Sequence, residues 1–151
     1  MIIIFDLDYT LFDAKRFRAG IAAIFNLSLK EFDKRYHVKY FKSKKINYNF
    51  KKNLEILKGE DKDLNTGLLE KKFRKFLLKI NKYLFPEAEE ILYHLKQAGH
   101  TLILFTFGDK ELQKQKVDNL RIKKYFDRII FTPKEKNLPF SFLKNKKRKD
   151  L

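Results

Sequence analysis

Four consecutive apolar residues, Ile2-Ile3-Ile4-Phe5, run straight into two aspartates separated by one leucine, Asp6-Leu7-Asp8. An apolar run this short, bounded at once by polar turn residues, reads as a strand buried on both faces. Such strands belong to parallel sheets covered by helices. In an open parallel sheet the crevice lies at the carboxyl ends of the strands, so both carboxylates are delivered there. Residues two apart just past a strand can aim at one site while the residue between them turns away. One carboxylate can then attack phosphorus and the other can protonate the departing oxygen. Taken alone, the same residues equally suit a helix cap and a solvated turn.

The second half of the chain repeats the strand signal. Pro86 suits the first turn of a helix with Ala88, Ile91, Leu92 and Leu95 on its apolar face, and Gly99 stands where a C-terminal cap belongs. His100–Thr106 contains Leu102-Ile103-Leu104-Phe105, a second buried strand. Gly108 and Asp109 turn the chain into a helix through Leu112, Val117 and Leu120, and Arg128–Phe131 is a third short strand. Strand, helix, strand, helix, strand implies right-handed crossovers and a parallel sheet.

Between these parts the pattern is helical and rich in phenylalanine. Asp13 can cap a helix over 14–26, and Ser28 with Glu31 forms a capping box that opens a helix towards His37. A helix is predicted near Tyr48–Leu57. Thr66 can cap another running to Ile80, with Leu69, Phe73, Phe76, Leu77 and Ile80 on one face. The aromatics Phe17, Phe25, Phe32, Phe73 and Phe76 read as core. The run 34–52 interleaves Tyr36, Tyr40, Phe41, Tyr48 and Phe50 with Lys and Arg, a pattern that suits a solvated amphipathic face better than a base-stacking groove. His37, His94 and His100 show no ligand spacing.

The segment Ile2–Leu11, with Asp6, Asp8 and Thr10, resembles the first motif of the haloacid dehalogenase superfamily. Leu102–Asp109 resembles its second motif, an apolar strand ending in Thr or Ser. The stretch 85–100 looks like the helix leading into that strand, and Tyr125–Ile130 like the third strand. The resemblance covers residues 1–13 and 85–136. It implies an α/β, Rossmann-like parallel sheet formed by 1–13 and 86–151, with an inserted all-helical cap over 14–85. It also implies a Mg²⁺-dependent phosphohydrolase acting on a small phosphorylated metabolite. Asp6 would be the nucleophile that forms an aspartyl-phosphate, and Asp8 the general acid and base. Thr106 and Phe107 would bind the phosphoryl oxygens. Lys136, with Lys134 as the alternative, would neutralise phosphoryl charge. Asp6 and the main chain of Asp8 would hold the metal. The second aspartate argues for a phosphatase or mutase over a dehalogenase.

The family's fourth motif, an acidic pair after a fourth strand, has no counterpart: beyond Lys136 the sole acid is Asp150. The resemblance therefore implies a member truncated on the C-terminal side, with weak metal binding and with Ile2–Phe5 as an apolar edge open to self-association. The alternative is a catalytically weak or inactive binding module on the same fold.

Composition narrows the partners. A net charge of +16 favours anionic, phosphate-bearing substrates. Because Lys far outnumbers Arg and is spread over every segment outside the expected strands, nucleic acid is the less favoured partner. No apolar run reaches membrane-spanning length and no signal peptide is visible, which makes the cytoplasm the default location. With no cysteine, disulfides and thiolate metal sites are excluded.

Overall fold

The computed structural model describes residues 1–133. Three parallel strands, β1 (Ile2–Phe5), β2 (Thr101–Phe107) and β3 (Arg128–Thr132), form a sheet in the order β1-β2-β3. The register runs from Ile2 beside Thr101 to Phe5 beside Leu104, then from Ile103 beside Arg128 to Phe107 beside Thr132. The α/β parallel architecture expected from the strand and helix alternation is present. β2 lies in the middle, with Leu102 through Thr106 all buried. β1 departs from the expected burial on both faces: Ile2 is exposed and Ile3–Phe5 are half-buried. Among the described residues β1 has a paired strand neighbour on one side alone.

The helices follow from local chemistry. Helix α1 (Ala14–Ile24) starts where the Asp13 carboxylate accepts from the Arg16 amide. The box at Ser28 is closed in both directions, Glu31 N donating to Ser28 Oγ and Ser28 N to the Glu31 carboxylate. It opens α2 (Leu29–Phe32), which runs on as π-helix over Asp33–Lys42. The buried residues Phe32, Tyr36 and Phe41 recur at spacings of four and five, which suits the wider winding of that helix. Helix α3 spans Phe50–Glu60, and α4 spans Thr66–Leu77. In α4 the cap is Asn65 rather than Thr66, since the Asn65 side chain is the one that accepts from the Leu68 amide. Helix α5 (Ala88–Gln97) begins two residues past Pro86. It ends in a Schellman turn: Gly99 adopts φ +76°, its amide donates to Lys96 O, and the His100 amide donates to Leu95 O. Helix α6 spans Lys110–Asn119 and is capped by Asp109.

One hydrophobic cluster joins sheet and helices. Of the aromatics expected in the core, Phe17, Phe32 and Phe73 are buried, while Phe25 and Phe76 pack half-buried against them. Phe50 stacks on Phe73 with ring centroids 3.9 Å apart. In the 34–52 run, Tyr36, Phe41 and Phe50 are buried and Tyr40 and Tyr48 half-buried, so these rings serve packing. Among the described residues no helix is long and apolar enough to cross a membrane.

Candidate active site

The two aspartates sit where the strand logic puts them, in the loop leaving the carboxyl end of β1. That loop is tightly wound. The amides of Thr10, Leu11 and Phe12 all converge on Leu7 O, the Tyr9 amide donates to Phe12 O at 2.8 Å, and Tyr9 is held at φ +64°. A tyrosine in the left-handed region is a strained residue, and here it lies between the two acids and the first helix. Leu7 is fully buried and anchors the turn, which leaves Asp6 and Asp8 half-buried on the sheet's carboxyl side. Asp6 Oδ1 accepts from the Leu7 amide at 2.8 Å.

Asp8 is engaged through both carboxylate oxygens. Lys116 Nζ donates to Oδ1 at 2.5 Å and Gln113 Nε2 to Oδ2 at 3.0 Å. Gln113 Nε2 also donates to Phe107 O at 2.9 Å, tying the end of β2 to Asp8. The approach is close: a Cβ on Gly108, which adopts φ +139°, would meet Gln113 Nε2 at 2.8 Å. Lys116 is only 3% exposed and its ammonium lies 4.7 and 5.2 Å from the centroids of Phe12 and Phe17. Burial pushes Lys116 below the ordinary lysine range, while the carboxylates of Asp8 and then Asp6 act in the opposite direction.

Thr106 is fully buried at the end of β2, and its Oγ1 has no hydrogen-bond partner among the described residues. Phe107 and Asp8 border one cavity of about 220 Å³, shared with Phe17, Arg18, Tyr48 and Lys116. Burial, and then Arg18, lower the pKa of His37, another wall residue, while Asp33 acts in the opposite direction. Asp109 bridges the helical segment to this region by accepting from Asn49 Nδ2 at 2.9 Å and from the Leu112 amide at 2.9 Å. Lys136 and Lys134 lie outside the described residues. Neither Lys116 nor Gln113 was among the candidates read from the sequence. The available signal was their spacing with Leu112 and Val117, which puts all four on the inward face of α6.

A family model described as haloacid dehalogenase-like hydrolase matches residues 3–149. The chain belongs to this family. Among solved structures, a protein from Burkholderia xenovorans assigned as a haloacid dehalogenase-like hydrolase superposes with a TM-score of 0.64 at 20% identity, over 87% of this chain and 60% of that one. The HAD-hydrolase assigned as YfnB from Bacillus subtilis, described as bound to magnesium, gives 0.50 at 19% over 86% and 62%. A HAD family hydrolase from Deinococcus radiodurans with bound phosphate and sodium gives 0.51 at 17% over 96% and 59%. At such identities the likeness is one of fold. The chain spans 59–62% of the lengths of these structures. No curated protein matches it. The Rossmann-like haloacid dehalogenase fold anticipated from the motifs is borne out.

Proposed function

We propose that this haloacid dehalogenase-like chain is a phosphoric monoester hydrolase that passes a phosphoryl group to Asp6 and then to water. The observation that carries the reading is the buried Thr106 hydroxyl, without a hydrogen-bond partner among the described residues, at the end of the strand that pairs with the one delivering Asp6. A buried hydroxyl left without a partner costs on the order of 1–3 kcal/mol, a debt that a bound phosphoryl oxygen relieves. The phosphate held by the Deinococcus relative supports the same ligand chemistry.

In this mechanism an oxygen of the Asp6 carboxylate attacks phosphorus while Asp8 donates a proton to the leaving oxygen. Asp8 then takes a proton from the water that attacks the aspartyl-phosphate. Thr106 donates to a phosphoryl oxygen beside the Phe107 backbone, and charge neutralisation is assigned to Lys136, with Lys134 as the alternative. Residues 14–85 act as a cap over a core of 1–13 and 86–151. In support, Phe17, Arg18 and Tyr48 share the cavity beside Asp8 with Phe107 and Lys116. A cavity of about 220 Å³ suits a small phosphorylated metabolite.

Mg²⁺ is the implied cofactor, and the magnesium-bound Bacillus relative supports it. Among the described residues no three His, Cys, Asp or Glu side chains gather into a metal cage. Mg²⁺ commonly binds through one or two carboxylates, with phosphate and water completing its shell, and the Asp6 carboxylate with the Asp8 carbonyl fits that donor set. Bound there, the ion would offset phosphoryl charge. The test is turnover of 4-nitrophenyl phosphate with Mg²⁺. Asp6→Asn is expected to abolish it, and a variant as fast as wild type, or an inert wild type, would refute the reading.

A further inference from the structure

We infer that Lys116 and Gln113 are positioning residues that fix the plane of the Asp8 carboxylate for its proton transfers. The inference rests on the phosphohydrolase reading above and deepens it. Lysine is rarely buried unless paired, and Lys116 is the charged side chain that joins the buried set among the described residues. Its Nζ reaches one Asp8 oxygen while resting over the rings of Phe12 and Phe17. The other Asp8 oxygen accepts from Gln113, whose amide nitrogen is itself fixed by Phe107 O. Gly108 leaves the room that this amide occupies. Two donors on two oxygens, each held by a further contact, remove the rotation about the Cβ–Cγ bond that a solvated aspartate keeps.

Stability does not account for this arrangement. Desolvating a lysine and a carboxylate to pair them gains little over well-packed apolar groups, and Lys116 already sits in an aromatic cage that methionine would fill. Orientation is what the pair supplies, and a proton-transfer group must be held within hydrogen-bond reach of the oxygen it serves. The ammonium also feels Asp6, so one cation tempers the repulsion between two neighbouring acids.

The experiment compares single-turnover phosphoryl transfer by wild type, Asp8→Asn, Lys116→Met and the double variant, on phenyl phosphate and 2,4-dinitrophenyl phosphate with Mg²⁺. A positioned general acid is worth roughly 10²–10⁴-fold on a poor leaving group and far less on an activated one. Lys116→Met should therefore lose at least about tenfold more rate on phenyl than on dinitrophenyl phosphate, with KM nearly constant. The double variant should be no slower than Asp8→Asn. Gln113→Leu should show the same leaving-group signature and guards against misfolding of the lysine variant. Equal losses on both substrates, a loss confined to KM, or losses that multiply in the double variant overturn the inference. If wild type turns over neither ester, the phosphatase reading falls instead. The positioning claim is then decided by the crystal structure of Lys116→Met, where an Asp8 carboxylate in its original plane refutes it.

Discussion

The same glycine-to-alanine change is expected to have opposite signs in two helices of this protein. In α1, Gly20 faces the aromatic cluster. A Cβ built there would lie 2.8 Å from Phe76 Cζ and closer still to Phe76 Cε2 and the Tyr83 hydroxyl. In α3, a Cβ on Gly59 meets nothing within 4 Å. Replacing glycine by alanine inside a helix gains about 1 kcal/mol of propensity, and somewhat less near a helix end such as Gly59. Gly59→Ala should therefore stabilise the fold by about 0.5–1 kcal/mol. At Gly20 the gain is offset by overpacking, which costs about 1–3 kcal/mol when rings must shift in a close-packed core. Phe76 cannot simply retreat, because it packs on Phe17 at 5.2 Å and on Tyr83 at 5.7 Å between centroids. The net expectation for Gly20→Ala is a loss of up to about 2 kcal/mol. Urea denaturation measures both, with the slope m unchanged and the midpoints moving in opposite directions. A Gly20→Ala protein as stable as Gly59→Ala would refute the claim that α1 is seated on these rings. Since Phe17 also borders the Lys116 ammonium, the α1 seat reaches the candidate active site directly.

Two further outcomes test the frame. Ser28→Ala breaks the reciprocal box at the start of α2 and should cost about 1 kcal/mol in thermal or chemical denaturation. Asp127 accepts from Lys96 and from the Leu102 amide, which hold its pKa below the ordinary value. Its contribution is therefore complete above the ordinary aspartate pKa of about 4 and fades as pH falls through the depressed folded value. Because Asp127 is 42% exposed, water screens its pair with Lys96, so Asp127→Asn should lower stability by no more than about 1 kcal/mol at pH 7, and the gap to wild type should close in acid melts. A pH-independent gap would show that the amide substitution acts through packing instead.

The legible parts of this protein were those encoded locally. Apolar runs ending in Asp or Thr announced β1 and β2, and the reciprocal Ser28–Glu31 pair and Gly99 announced helix ends. The π-helical stretch was not foreseen, since its winding answers to burial of Phe32, Tyr36 and Phe41, not to propensity. Asn65 in place of Thr66 as a cap is a shift of one residue between two adequate side chains. At the candidate site, Asp6 and Asp8 could be named from a strand end, and Thr106 from the resemblance of its strand to the family's second motif. Lys116 could not, because in a chain with 35 Lys and Arg one lysine looks like another until the fold sinks it between two phenyl rings. Its partner lies 108 positions away in the chain, and no local pattern spans that gap.

The pairing of β1 with β2 also sets a timetable for synthesis. Phe5 finds Leu104 only after the intervening segment has been made, and at about 5–20 residues per second that delay is roughly 5–20 s. Until then the amino-terminal acids ride on an unpaired apolar strand. Local helices can form within that interval, so the loop that carries Asp6 and Asp8 is assembled late, onto a scaffold already in place.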